Sequence, residues 1–180
     1  MSDDEDEPEE DWRIAKLYGV ADKSSPEEFA ALVDEVGTRD AVCFGSVMMD
    51  RPSARAHFVV LALIDLDDGS LAECLTARRA LLKAAVAAGG AGAGSALLAA
   101  LEGLLCSPAT AVEGEARESA MTSFDEALKV LWEYEVVSED EVRLWQADER
   151  AGRNYQVSGA DAIRLHEKGR EFLEWVDEGE

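Results

Sequence analysis

Tryptophan and carboxylate side chains alternate over two segments in the last third of the chain. Box 1 runs from Leu128 to Trp145, and box 2 runs from Glu171 to Glu180. Tryptophan and aliphatic side chains favour burial, whereas carboxylates favour water, so a folded domain must turn the apolar positions inward. The pattern therefore predicts an acidic outer face, and the chemistry of such a face suits a lysine-rich partner better than a small substrate.

The other residue types that perform chemistry show no spacing typical of a catalytic or metal site. His57 lies in an apolar run, which predicts a core or edge residue, and His166 lies among charges, which predicts a solvated one. The glycine-rich segment 89–94 lacks the lysine of a phosphate loop. Acids 139–141 could bind a divalent ion, but a solvated helix start is the stronger interpretation. We therefore predict no metal, no cofactor and no catalytic residues.

Composition narrows the class of partner. The 180 residues carry a formal net charge of −22, and 47% of them are hydrophobic, which is enough for one core. The acidic charge would repel phosphates, which disfavours nucleic acid and makes basic proteins or peptides the natural partners. Alternatively, the charge only maintains solubility in a high-salt host, which five lysines against twelve arginines would fit. Clustering of the acids favours the binding interpretation.

Cysteine usage and the chain start indicate the compartment. Cys43, Cys74 and Cys106 lie far apart in apolar surroundings, which predicts buried thiols in a reducing environment. The acidic N-terminus differs from the basic start of a secretory signal. No run of about 18 apolar residues is present, as a membrane-spanning helix would need. We expect a cytoplasmic monomer that binds no membrane.

Local patterns predict an all-α fold. Residues 1–23 are predicted to form an acidic, largely disordered linker, because the first eleven residues hold eight acids. Residues 24–180 are predicted to form one domain of seven to nine short helices. Ser25 and Ser138 each begin a capping box, in which a glutamate follows three residues later. Antiparallel helix pairs would stack as a HEAT-like, α-α superhelical domain or as a compact bundle.

The remaining helix boundaries come from proline, glycine and apolar spacing. Pro52 is predicted to open a helix, although residues 58–64 could instead be a buried strand without an evident pairing partner. Further helices are predicted at 70–86, at 95–106, at 113–134 as one helix or two, and from about Ser158 onward. Gly169 within the last helix predicts either the close approach of a neighbouring helix or simple tolerance.

The two boxes resemble the C-terminal aromatic/acidic-box domain of eukaryotic translation initiation factor 5, a domain type that also ends the epsilon subunit of initiation factor 2B. In box 1 the resemblance lies in Leu128, Trp132-Glu133, Glu135-Val136-Val137, Glu139-Asp140-Glu141 and Trp145. In box 2 it lies in Phe172-Leu173-Glu174-Trp175, followed by Asp177 and Glu178. Residues 155–158 and 77–83 also look like factor 5. Trp132 departs from the family's usual tyrosine, and no GTPase-activating region is present.

This resemblance implies an assembly role within the preinitiation complex. The partners implied are the lysine-rich segment of the initiation factor 2 beta subunit, an initiation factor 3 subunit and initiation factor 1. The partner-binding residues implied are Glu133, Glu135, Glu139, Asp140, Glu141, Trp145, Glu171, Glu174, Trp175, Asp177 and Glu178. Arg78, Arg79 and Lys83 would make a second, basic surface, although a plain solvated helix face is the simpler interpretation.

Two alternatives remain open within the same resemblance. One is a catalytic guanine-nucleotide-exchange domain, as in the epsilon subunit of initiation factor 2B, which would act by distorting the nucleotide site of its GTPase. The other is a regulatory mimic of factor 5. The sequence favours an assembly module that is not itself an enzyme.

Overall fold

The structure is a computed structural model. It describes residues 12–37, 43–44, 47–48, 50–67, 69–107, 114–149, 151–152, 155, 157 and 159–179, without the side chains of 36–37, 43–44 and 47–48. The acidic segment 1–11 and Ser158, the predicted start of the last helix, lie outside the described residues.

Ten helices form most of the described part of the chain, which confirms the all-α prediction. They are α1 (Trp12–Ala21), α2 (Pro26–Gly37), α3 (Arg51–Leu63), α4 (Leu71–Ala77), α5 (Arg79–Gly89), α6 (Ala93–Cys106), α7 (Gly114–Thr122), α8 (Phe124–Glu133), α9 (Glu139–Ala147) and α10 (Gly159–Glu178). Between α2 and α3, the short strands β1 (Cys43–Phe44) and β2 (Val47–Met48) pair antiparallel. Helices distant in sequence pack together, namely α3 on α6, α2 on α5, α4 on α8 and α10 on α8, and the consecutive helices α9 and α10 also pack on each other.

Side-chain caps begin the helices where the sequence predicts them. At α2, Ser25 Oγ accepts a hydrogen bond from the Glu28 amide at 3.2 Å, and the Glu28 carboxylate accepts one from the Ser25 amide at 3.4 Å. At α3, Asp50 accepts from the Ser53 amide at 2.8 Å, with Pro52 in the first turn. Residues 58–63 therefore belong to α3, and the strand alternative for this segment is wrong.

Hydroxyl side chains lie beside the two helix breaks. The predicted helix 70–86 divides at Arg78 into α4 and α5, and segment 113–134 divides at Ser123 into α7 and α8. Thr76 Oγ1 donates to the Ala72 carbonyl at 2.8 Å, and Ser123 Oγ donates to the Ser119 carbonyl at 2.8 Å. Such bonds to the preceding turn bend helices, which gives a physical reason for both divisions.

Helix α1 corrects the part of the linker prediction that covers residues 12–21, whereas residues 1–11 lie outside the described part of the chain. Leu17 and Ala21 are buried in the core, and Ile14 packs against it, so three residues at helical spacing dock α1 on the domain. Trp12 remains 59% exposed. The linker prediction was based on the acids of residues 1–11. The apolar side chains of Ile14, Leu17 and Ala21 instead pack residues 12–21 as a helix on the core.

One hydrophobic core runs through the domain and includes the fully buried rings of Phe29, Phe58, Phe124, Phe172 and Trp145. Phe58 on α3 and the leucines of α6 link the N-terminal helices to the box helices α8, α9 and α10. None of the helices in the described ranges combines the length and the hydropathy needed to cross a bilayer.

The packing tests the sequence predictions for Gly169 and for the cysteines. Gly169 lies where α10 meets α9, and a Cβ at this position would stand 2.8 Å from Cζ3 of Trp145. Close helix approach, rather than tolerance, therefore explains the glycine. Cys106 is buried as predicted, Cys74 is only partly buried, and the Cys43 side chain lies outside the description.

Candidate functional site: an acidic and aromatic face

The two boxes meet through their aromatic rings. Trp132 of α8 lies edge-on to Trp175 of α10, with ring centroids 5.7 Å apart and an angle of 86° between the planes. Phe172 lies 6.2 Å from Trp132 and 6.1 Å from Trp175 between the same centroids. Phe172 is fully buried, Trp132 is partly buried and Trp175 is 43% exposed. The cluster therefore runs from the core to the surface along the junction of the boxes.

Arg143 joins acids of both boxes. Its Nη2 donates to Glu139 Oε1 at 2.5 Å within α9 and to Asp177 Oδ1 at 2.6 Å on α10. The hydrogen bonds to both carboxylates raise the pKa of Arg143 above its ordinary value. We use the name acidic face for the surface at this junction. Under this name we group the exposed and partly exposed box residues of α8, α9 and α10 that are next to these contacts in sequence: Trp132, Glu133, Glu139, Asp140, Glu171, Trp175, Asp177 and Glu178.

Several box acids already pair with cations of the same chain. Glu135 pairs with Lys83 at 3.2 Å, Glu171 with Lys168 at 3.3 Å and Glu174 with Arg170 at 2.5 Å. These pairs are exposed, and such contacts contribute about 0 to 1 kcal/mol each, so a partner can replace them. Glu133, Asp140 and Glu178 are exposed and make no ion pair among the described residues.

Glu141 was predicted to bind the partner, but it serves the fold instead. It completes the capping box of α9: its Oε1 accepts from the Ser138 amide at 3.0 Å, and its own amide donates to Ser138 Oγ at 3.2 Å. The rest of the carboxylate lies against Gly94 in the first turn of α6, where a Cβ would overlap it. A carboxylate is favourable at a helix N-terminus, so Glu141 joins two helix starts.

Trp145 was also predicted as a partner-binding residue, and this prediction needs the same correction. Its side chain is 1% exposed, and its ring lies 4.2 Å from the His166 ring and 5.6 Å from the Phe124 ring between centroids. Its indole Nε1 is buried and has no hydrogen-bond partner among the described residues. Trp145 therefore supports the acidic face from below and cannot contact a partner directly.

Glu135 ends α8 in a left-handed conformation, with φ of 58°. Non-glycine residues adopt this conformation at a cost of about 1 to 3 kcal/mol. In return the chain reverses, the Val136 amide donates to the Leu131 carbonyl at 2.8 Å, and Val136 and Val137 enter the core. The Glu135 side chain remains exposed at the edge of box 1.

Arg78, Arg79 and Lys83, the predicted basic surface, each contact a side chain of the same chain. Arg78 pairs with Asp22 at 2.6 Å, and Lys83 pairs with Glu135 of box 1. The Arg79 guanidinium lies 4.8 Å from the ring centroid of Tyr134, also in box 1. The charges of the triad are engaged, two of them with box 1, because α4 and α5 pack beside the loop that follows α8.

A buried ion pair holds α10 against α6 and α9. His166 was predicted to be solvated, but its Nε2 lies 2.7 Å from Oε1 of Glu102 on α6, and its Nδ1 lies 3.0 Å from the Gln146 carbonyl on α9. An imidazolium carries a proton on each ring nitrogen and can therefore donate to both the Glu102 carboxylate and the Gln146 carbonyl. Glu102 is 0% exposed. Its other oxygen, Oε2, has no hydrogen-bond partner among the described residues.

This pair predicts a pH-dependent stability. Burial alone lowers the pKa of His166, but the bonds to Glu102 and to the Gln146 carbonyl outweigh it, so the pKa lies above its ordinary value. The stabilisation is fully present below about pH 6.5, the ordinary value in an unfolded chain, and is lost as pH rises through the folded-state pKa. Urea unfolding between pH 6 and 9 should show this loss. In His166→Leu the loss should be absent, and an equal slope in both proteins would contradict the assignment.

Three further residues of the site were missed by the sequence analysis. Glu102 is a lone acid in the apolar run of α6, and an acid placed there needs a buried cation. Arg143 follows Glu139 by four residues, the spacing of a helical ion pair. Lys129, whose Nζ lies 4.6 Å from the ring centroid of Trp175, gave no signal in the sequence, because its contact joins two distant helices.

The chemistry of the described box residues is that of paired carboxylates and aromatic rings, which attract cations. Among the described residues, no three histidine, cysteine or acidic side chains lie close enough together to hold a metal ion. No protein-family model, curated protein or solved structure matches the chain. The likeness to aromatic/acidic-box domains therefore depends on the sequence alone: the box residues and the segments 77–83 and 155–158.

Proposed function

We propose that this domain is a protein–protein assembly module that binds lysine-rich segments through the acidic face and acts without catalysis of its own. The observation that carries the proposal is the contact between Trp132 of box 1 and Trp175 of box 2, at 5.7 Å between ring centroids. This contact brings box 1 and box 2 side by side, which supports a binding surface that both boxes share. A segment with several lysines can then be neutralised at many points at once.

The energetics favour a multivalent partner over a single ion. Each exposed ion pair contributes about 0 to 1 kcal/mol, so useful affinity requires several lysines together with contacts between their stems and the aromatic rings. The net charge of −22 would mainly speed the encounter with a basic segment, and added salt would slow it. Three box acids already form ion pairs with cations of the same chain: Lys83, Lys168 and Arg170. We propose the same kind of ion pair for the lysines of a partner.

The resemblance to aromatic/acidic-box domains suggests which partners to test. We propose translation initiation as the setting and the cytoplasm as the compartment. The candidate partners are the lysine-rich segment of the initiation factor 2 beta subunit, an initiation factor 3 subunit and initiation factor 1. The charge of the domain disfavours direct binding of nucleic acid.

Charge reversal at the exposed acids tests the proposal. Replacing Glu133, Asp140 and Glu178 with lysine should weaken binding of a fluorescently labelled decalysine peptide at least about tenfold, because attraction becomes repulsion at three points. Fluorescence anisotropy titrations would measure the affinity, and circular dichroism would verify that helicity is retained. Glu141 is left unchanged in this variant because its carboxylate caps α9.

The matched control reverses three acids elsewhere. Glu27 and Glu35 on α2 and Asp67 after α3 are exposed and lie outside the boxes. Reversing them changes the net charge by the same amount but should weaken binding much less. If both variants lose affinity equally, or if the box variant loses none, the peptide does not recognise the acidic face.

A further inference from the structure

An ammonium group of the chain itself already lies on the exposed tryptophan of the acidic face. Lys129 on α8 extends its side chain across to α10, where Nζ stands 4.6 Å from the ring centroid of Trp175. Trp175 is 43% exposed, and Lys129 is partly buried. A cation over the face of a tryptophan ring is attracted by the negative charge of the π system.

The surroundings of this ring suit an ammonium ion. Trp132 stands perpendicular to Trp175 and forms a second aromatic wall. Helical spacing places Glu171 and Glu178 one turn before and one turn after Trp175 on α10, and Glu133 one turn after Lys129 on α8. A cation at the ring therefore has carboxylates on both helices within about one turn. The carboxylates suit the ammonium group of a lysine, and the aromatic rings suit its apolar stem.

We propose that the Trp175 ring is a lysine subsite, occupied by Lys129 in the free domain and surrendered to a lysine of the partner on binding. This inference depends on the proposed function. It adds that one lysine of the partner binds at the Trp175 ring, where it competes with Lys129 of the domain itself. An exposed cation–π contact contributes about 0.5 to 1 kcal/mol, so Lys129 can be displaced at a small cost. Its flexible four-carbon stem can turn the displaced ammonium toward Glu133, so the charge keeps a partner.

A double-mutant cycle separates this displacement from a general effect of charge. Lys129→Met keeps an unbranched apolar stem and removes the ammonium, and it should tighten binding of decalysine about two- to fivefold, the equivalent of the vacated contact. Part of the increase in affinity for decalysine comes only from the loss of one positive charge. In a Trp175→Leu background this charge effect persists, whereas the increase due to the vacated ring disappears. The proposal therefore predicts a clearly smaller gain in that background.

Nuclear magnetic resonance of the wild-type domain gives a second measurement that requires no variant. The ε-methylene protons of Lys129 should resonate upfield in the free domain because they lie over the Trp175 ring. Saturation with decalysine should move them toward the position typical of a solvated lysine. Methylene protons that stay shifted at saturation, or an equal gain from Lys129→Met in both backgrounds, would overturn the subsite.

The outcomes also distinguish the subsite from the function on which it depends. If wild-type domain binds decalysine through the acidic face but the Lys129 signals do not move, only the subsite is wrong. If wild-type domain does not bind decalysine at all, the proposed function and the subsite are both wrong.

Discussion

Replacing His166 with leucine is expected to lower the free energy of unfolding by about 3 to 5 kcal/mol at pH 6. The imidazolium is the ion-pair partner of Glu102, and without it a carboxylate that is 0% exposed loses its compensating charge. The same change removes the bond to the Gln146 carbonyl and the ring contact with Trp145. Urea unfolding followed by circular dichroism measures the loss.

The double variant Glu102→Leu, His166→Leu provides the matched control. Replacing both members of a buried pair with apolar residues is often neutral, so the double variant should recover most of the loss. Recovery would assign the cost to the unpaired charge rather than to a cavity. A loss below about 1 kcal/mol in the single variant would contradict a buried, charged pair, because a solvated histidine at the surface contributes little.

Replacing Trp145 with alanine should destabilise the domain to a similar extent, by about 3 to 5 kcal/mol. The ring is 1% exposed and fills the space between Phe124, His166 and Gly169. Its removal leaves a cavity where α8, α9 and α10 meet, so the acidic face should lose its support as well. Urea unfolding measures the stability, and decalysine titration measures the consequence for binding.

Two controls sharpen this prediction. Trp145→Phe keeps most of the volume and removes an indole N–H that has no hydrogen-bond partner among the described residues, so it should cost much less than alanine. Trp12→Ala removes a ring that is 59% exposed and should change stability by no more than about 0.5 kcal/mol. Equal losses for Trp12→Ala and Trp145→Ala would show that burial does not distinguish the two tryptophans.

Local chemistry accounts for what the sequence predicted correctly. Ser25 and Ser138 each require only a glutamate three residues later to cap a helix, and both caps are present. Pro52 at the start of α3 and the apolar spacing of α10 act within a few residues as well. The close approach at Gly169 was one of two alternatives, and only the packing of α9 on α10 could decide between them.

Predictions at the site failed where the outcome depended on helices far apart in the chain. His166 lies among charged neighbours in sequence, yet α10 turns it toward Glu102, 64 residues earlier. Glu141 belongs to an acidic triplet, but the first turn of α6 packs against its carboxylate and removes it from the partner-binding set. The tail was predicted from its acids, and the apolar stripe of α1 overrode them where Leu17 reaches the core.

The indole N–H signals of the tryptophans test most directly whether the two boxes act as one lysine-binding face. The chain has four tryptophans, so each signal can be assigned by single replacement in the ¹⁵N-labelled domain. On titration with decalysine, the signals of Trp132 and Trp175 should shift together along one binding curve. The signals of Trp145, which is buried, and of Trp12, which lies outside both boxes on α1, should stay in place. Movement of Trp12 alone, or of one box without the other, would contradict a single shared face.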